Sequence, residues 1–430
     1  MGTANRIVIV GGGFAGFHAA KALERAAPPG TELVLVNKTD YFHYLPLLPQ
    51  VAAASLDPRR VAVSLTKTLP GVRLALGTAD KLAVDRREVT YTDPEGGSHV
   101  VGYDRLILAA GSVNKLLPIP GVGAHAHGFR SIGEALYLRD HVIRQIELAG
   151  ATDDPGLRAA RCTFVVVGAG YTGTEVAAQG PPFTAAVARH NKALRGQKIR
   201  WLLLDVAPKV LPELDPRLSR AADELLRKRG VEVLTGTSVE EATAEGVRLT
   251  NGEFVPTRTL VWCVGVRPDP LTDATGLPTE RGRIIVDATL AVPGHPEIFA
   301  CGDCAAVPDL TRPGELTAMT AQHAMRQGKL AGKNVAASLG HGRMAQYKHH
   351  DLGFVVDLGG LDAAANPLGV ALSGLPAALV TRGYHLMAMP GNRVRTLIDW
   401  AVDAVFGRQT VQLGLVRGDD VPLDTDRPAS

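Results

Sequence analysis

Two short runs of this sequence have the spacing to cradle a phosphate. Gly11-Gly12-Gly13-Phe14-Ala15-Gly16 and Gly168-Ala169-Gly170-Tyr171-Thr172-Gly173 both read G-x-G-x-x-G. In that pattern the first glycine turns the chain tightly, the second lets the backbone approach a pyrophosphate, and the third lets a helix pack closely on the preceding strand. Backbone N–H groups and the positive end of the helix dipole then converge on the anion. A ribose-binding acid is expected where the next strand ends. Asp205 stands there in the second repeat, and Asn37, followed by Lys38, in the first. An amide both donates and accepts, so Asn37 is retained as a ribose-binding candidate. The charge of Asp205 would repel a 2′-phosphate, which favours NADH over NADPH, and Arg200 and Lys209 lie near enough in sequence to soften that preference.

Each loop is flanked by the elements that must hold it. Arg6-Ile7-Val8-Ile9-Val10 is a continuous apolar run of the kind found in buried parallel strands. A helical stretch follows from Phe14 to Ala27 and stops at Pro28-Pro29-Gly30, and Thr31 to Asn37 reads as a second strand. The second unit repeats the order: Phe164-Val165-Val166-Val167, the loop, a helix from Tyr171 to Gln179 that Gly180-Pro181-Pro182 interrupts, and a strand from Ile199 to Asp205. This is an α/β chain with two Rossmann-like dinucleotide-binding domains.

Composition sets the outer bounds. A chain of 430 residues with 46% hydrophobic and 21% charged residues is globular and long enough for two or three domains. The net charge of +3 comes from scattered basic residues, which argues against nucleic acid as a partner. The four cysteines, Cys162, Cys263, Cys301 and Cys304, form neither a disulfide framework nor a four-ligand zinc pattern, so no metal site is expected. A strand beginning at Ile7 leaves no room for a signal peptide, and no run of about 18 apolar residues occurs. The expected location is the cytoplasm, with the cytoplasmic face of the cell membrane still open to it.

Between and beyond the loops lie Tyr103 to Ser112, with the small residues Ala110 and Gly111, then Leu260 to Pro268, with Gly265, and then Glu297-Ile298-Phe299-Ala300-Cys301-Gly302-Asp303. In this order the chain resembles the two-dinucleotide flavoproteins of the glutathione reductase class. The resemblance implies FAD on the first loop, NADH on the second, and Asp303 against the flavin ribityl chain beside Gly302. Disulfide reductases of that class carry a redox cysteine pair soon after Asn37. Here Asp40 to Pro49 holds none, and the C-x-x-C of Cys301 and Cys304 falls in the ribityl-binding turn.

More narrowly, Tyr41-Phe42-His43-Tyr44-Leu45-Pro46-Leu47-Leu48, then Val51-Ala52-Ala53 and Pro58-Arg59-Arg60, look like the type II NADH:quinone oxidoreductases, which are single-chain and non-pumping. Gly173-Thr174-Glu175 resembles that family's Thr-Gly-x-Glu, and Ala321-Gln322-His323-Ala324-Met325-Arg326-Gln327-Gly328 its Ala-Gln-x-Ala-x-x-Gln-Gly. The resemblance spans roughly residues 5–410 and implies that Glu175 lies between nicotinamide and flavin and that Gln322 lines a quinone pocket. It also implies a ping-pong cycle from NADH through FAD to a quinone. A soluble NAD(P)H diaphorase, a redox partner of another acceptor, and a nucleotide-binding redox sensor are the alternatives. Where the family commonly has Asp-Lys-Gly, this chain has Asp351-Leu352-Gly353.

The expected domains are FAD-binding (1–115 and 275–335), NADH-binding (116–274, inserted), a C-terminal region (336–418) and a disordered polar tail (419–430). In the C-terminal region a mostly apolar segment runs from Leu372 to Met389 and a helix from about Arg393 to Phe406. Val394, Leu397, Ile398, Ala401 and Val405 share one face of that helix, opposite Asp399 and Asp403. Such a stripe suits a membrane interface, core packing or a homodimer seam.

Overall fold

The computed structural model describes residues 5–349 and 353–423. Leu352 and residues 424–430 of the polar tail lie outside the described residues. Contacts divide the chain into two units, one of residues 1–43, 62–113 and 266–350, the other of residues 44–61, 114–265 and 351–430. Helices α1 (Phe14–Ala26), α2 (Tyr171–Ala188), α3 (Ala321–Ser338), α4 (Gly374–Ala388) and α5 (Arg393–Phe406) position the side chains singled out in the sequence.

The first unit is built on a sheet ordered Ala291–Val292, His295–Ala300, Arg105–Leu108, Arg6–Val10, Glu32–Asn37, Arg73–Leu76. Its pairings are parallel except the outermost, Ala291–Val292 with His295–Ala300. Val8 lies between Val34 and Leu106 in register, and Ile7, Val8, Ile9, Leu106 and Ile107 have no exposed surface. Burial of each such side chain contributes roughly 1.5–3 kcal/mol. Helices α1 and α3 approach so closely that a Cβ on Gly328 would sit 2.0 Å from the Ala15 carbonyl oxygen, and one on Gly332 2.6 Å from that of Ala19. The glycine ending the Ala-Gln motif is therefore a packing requirement.

The second unit has a parallel sheet ordered Ala126–Gly128, Thr259–Trp262, Thr163–Val167, Arg200–Asp205, Val231–Thr235. Phe164 and Trp201 stack at 4.7 Å in its core. Antiparallel strands Val355–Asp357, Ala363–Ala365 and Leu372–Ser373 belong to the same unit.

Helix α2 corrects the expected break at Gly180: it continues through Pro181 and Pro182 to Ala188. Pro182 deprives the Ala178 carbonyl of its helical donor, and Arg229 Nη1 donates to that oxygen at 3.4 Å. Gly180 lies where a Cβ would come within 2.4 Å of the Trp201 ring, and Thr184 Oγ donates to the Gly180 carbonyl at 3.0 Å. Tertiary packing and these donors override the local breakers.

The C-terminal helices turn apolar side chains outward. On α5, Thr396 and Trp400 are buried, while Val394, Leu397, Ile398, Val402, Val405 and Phe406 are exposed. The polar side turns inward because Arg60 holds Asp399 through two hydrogen bonds of 2.9 and 3.1 Å. Core packing of the apolar stripe is thus not what the described chain shows. No helix among the described residues is long and apolar enough to cross a membrane. The start of the polar tail is also ordered locally: Gly418–Asp420 forms a short 3-10 turn, and Leu423 is buried among Val165, Leu204 and Trp262.

Candidate functional site

The two glycine loops are near copies at atomic level. Gly11 has φ +96° and its Cβ would meet the Ala109 carbonyl oxygen at 2.3 Å; Gly168 has φ +102° and would meet that of Cys263 at 2.3 Å. A Cβ on Gly16 would lie 1.7 Å from the Gly11 carbonyl oxygen, and one on Gly173 1.8 Å from that of Gly168. The middle glycines, Gly13 and Gly170, have nothing within 4 Å of that position. Sterics therefore dictate the outer glycines, while the middle ones open onto free space. Gly13 and Gly170 are also the N-caps of α1 and α2, and neither is capped by a side chain. Both helix N-termini, with Phe14 and Ala15 in one first turn and Tyr171 and Thr172 in the other, fit an incoming anion.

The strand ends close these loops alike. Asn37 Oδ1 accepts from the Gly12 N–H at 2.7 Å, as Asp205 Oδ2 accepts from that of Ala169 at 2.5 Å. Asn37 Nδ2 donates onward to the Thr39 carbonyl and hydroxyl oxygens, and Lys38 beside it is exposed. The amide thus performs the loop-closing task of the acid without its charge. Neither neighbouring cation is spent on Asp205: Arg200 pairs with Glu232 at 2.7 Å, and Lys209 donates to the Leu214 carbonyl oxygen at 2.8 Å.

Asp303 is half-buried and accepts from Ser112 Oγ at 2.5 Å. Gly302, with φ +77°, donates its N–H to Gln327 Oε1 at 2.8 Å, and Gln327 Nε2 donates to Thr317 Oγ at 2.9 Å. Gln327 therefore fixes the Gly-Asp turn from α3, a role invisible in sequence although the residue sits inside the quoted motif. Gly111 and Gly265 both take positive φ, +81° and +78°, with open space at the Cβ position, and Ala110 is half-buried before the first of them. Cys301 and Cys304 are buried free thiols. Burial raises both, Cys304 to about 11, so neither is a thiolate at neutral pH. Among the described residues no group of His, Cys, Asp or Glu side chains is arranged to hold a metal ion.

Glu175 lies one turn into α2 and is buried. Its Oε1 accepts from the backbone N–H of Asp357 at 3.0 Å. Burial first, and the charge of Asp357 second, raise the Glu175 carboxyl well above the carboxylate range. Asp357 Oδ2 accepts from Gln50 Nε2 at 2.6 Å, and Gln50 Oε1 from Trp400 Nε1 at 2.6 Å. The sequence singled out neither Asp357 nor Gln50, since only tertiary folding brings residues 50, 175, 357 and 400 together. Gln322 stands half-buried in the first turn of α3, whose N-cap Thr320 accepts from the His323 N–H at 3.3 Å.

Residues 5–328 match the pyridine nucleotide-disulphide oxidoreductase family. The chain is 31% identical to the type II NADH:quinone oxidoreductase Ndh of Mycobacterium tuberculosis, over 94% of its own length and 89% of that protein's. It is 30% identical to the demethylphylloquinone reductase NdbB of Synechocystis sp., over 90% and 92% of the two chains. Among solved structures, NDH2 of Plasmodium falciparum, in complex with NADH, shares the fold with a TM-score of 0.86 at 18% identity, covering 95% of this chain and 100% of that one.

Proposed function

Because this chain belongs to the type II NADH:quinone oxidoreductases, within the pyridine nucleotide-disulphide oxidoreductase family, we propose that it takes hydride from NADH onto FAD and passes two electrons to a quinone in a ping-pong cycle. The observation that carries this reading is the duplicated glycine loop, each copy with its outer glycines packed and its middle glycine open over an uncapped helix. In this reading Gly11, Gly13, Phe14, Ala15, Gly16, Asn37 and Lys38 hold FAD, with Ala110, Gly111, Gly302 and Asp303. Gly168, Gly170, Tyr171, Thr172, Gly173, Asp205 and Gly265 hold NADH. FAD supplies the two-electron chemistry when bound, and the protein supplies position and electrostatics. Glu175 serves the nicotinamide half-reaction and Gln322 the quinone. Asp205, with Arg200 and Lys209 both engaged elsewhere, favours NADH over NADPH.

The exposed apolar sides of α4 and α5, with Leu375, Leu379, Met387, Leu397, Val405 and Phe406, suit a lipid interface at the cytoplasmic face of the cell membrane, where a quinone resides. Exposed Arg393 and Arg395 suit anionic headgroups. An anaerobic titration tests the whole reading. The purified protein should show a flavin spectrum that NADH bleaches at lower concentration than NADPH, and a quinone should restore it, faster in the presence of liposomes. Reoxidation by menadione or a ubiquinone analogue no faster than by oxygen would leave a diaphorase. Absence of a flavin spectrum even after reconstitution with FAD would remove the reading altogether.

A further inference from the structure

Buried Glu175 and half-buried Asp357 are two carboxyl groups in one cluster of the second unit, and their hydrogen bonding is unequal. Asp357 accepts at Oδ2 from Gln50 Nε2 at 2.6 Å and Gln179 Nε2 at 3.4 Å, and at Oδ1 from the Gly359 N–H at 2.8 Å. Glu175 accepts from the Asp357 N–H alone among the hydrogen bonds described. The Gln50 amide cannot turn round to reverse this. Indole N–H only donates, so Trp400 holds Gln50 Oε1 at 2.6 Å and aims Nε2 at Asp357. Arg229 and Arg382 act on Asp357 at longer range, as does Arg408, which carries Asp403 beside it. The charged group facing Glu175 is Asp357 itself.

Of two adjacent carboxyl groups largely withdrawn from water, the one with fewer donors and deeper burial keeps its proton, and the charge settles on the one with more donors. We propose that Asp357 is a positioning residue that keeps Glu175 protonated, so that Glu175 enters the reaction as a hydrogen-bond donor and acid rather than as a carboxylate. The functional weight of this inference rests on the participation of Glu175 proposed above; the protonation itself does not. Burial raises both carboxyl groups, and Asp357 raises Glu175 further, which agrees with a single shared proton. Through Gln50 the same arrangement ties the state of Glu175 to Trp400 on α5.

Infrared spectroscopy of the FAD-loaded protein tests the proposal without any acceptor. At pH 7 the wild type should show a protonated-carboxyl C=O band that is sensitive to deuterium exchange and absent in Glu175→Gln. In Asp357→Asn, which removes the neighbouring charge and keeps the shape, that band should titrate away at a pH lower by about one unit or more, a tenfold change in the ratio of acid to carboxylate. Asp357→Ser makes the same test if the asparagine variant does not fold. Stopped-flow reduction by NADH should shift its pH profile in the same direction. No Glu175-dependent band at pH 7, or a titration unmoved by both variants, overturns the proposal. A band that behaves as expected while Glu175→Gln reduces at the wild-type rate would instead overturn the catalytic reading of Glu175.

Discussion

Replacing Gly13 by alanine separates what the first glycine loop does for the fold from what it does for a ligand. Gly13 has φ −73° and ψ −164°, open to any L residue, and a Cβ there meets nothing within 4 Å. The change should cost the ligand-free protein no more than about 1 kcal/mol, the scale of an N-cap substitution. The same methyl occupies the space an approaching pyrophosphate needs. A hundredfold weaker grip on FAD would remove about 2.7 kcal/mol of ligand stabilisation at a fixed excess of cofactor. Gly16→Ala is the contrast, because its Cβ would fall 1.7 Å from a carbonyl oxygen and must push α1 off its strand. That overpacking costs about 1–3 kcal/mol with or without FAD. Denaturant unfolding with and without FAD, together with flavin content by absorbance, measures both. Gly170→Ala supplies the internal control, with NADH affinity lost and flavin content kept. A Gly13→Ala protein with wild-type flavin affinity would refute the reasoning, as would one that unfolds in the absence of ligand.

Asp205→Asn removes the charge that faces a 2′-phosphate; at about 1–4 kcal/mol for a pair of charges near 4 Å, the ratio of kcat/KM for NADPH over NADH should rise at least about fivefold, and an unchanged ratio would show that Asp205 does not select. Cys301→Ser and Cys304→Ser should each keep NADH-dependent flavin reduction, and the wild type should resist thiol alkylation at pH 8, because burial pushes the Cys301 thiol well up and holds Cys304 at about 11; rapid alkylation of the folded protein would contradict this. Asp399→Ala strips Arg60 of its partner at 2.9 Å, a charged hydrogen bond worth about 1.5–3 kcal/mol, and should raise hydrogen exchange across residues 393–406 selectively. Burial lowers His385 to about 4 from an ordinary 6.5. The unfolded chain therefore binds more protons between those values, so stability is present above pH 6.5 and is lost as pH falls towards 4, by about 3 kcal/mol for this group. The unfolding free energy of His385→Gln should fall less steeply over that window.

The sequence by itself determined both glycine loops, the strands that feed them, and Asp205 and Asn37 as residues to watch, because each reading rests on neighbours within one turn or one strand; Glu175 and Gln322 stand out only through the family resemblance of their motifs. Local chemistry failed where distant donors intervened, as at Pro182 within α2, where Arg229 reaches the Ala178 carbonyl left without its helical donor. It also could not say which side of α5 turns outward, since the inward pull on Asp399 comes from Arg60, 339 positions away in the chain. Only the tertiary structure placed Asp357 against Glu175, with Gln50 and Trp400 behind it. A carboxyl group's protonation depends on the burial and donors around it, and these are assembled from segments that sequence spacing does not relate. The chain spells out the nucleotide loops locally; the acid that follows the second loop acquires its character from the fold.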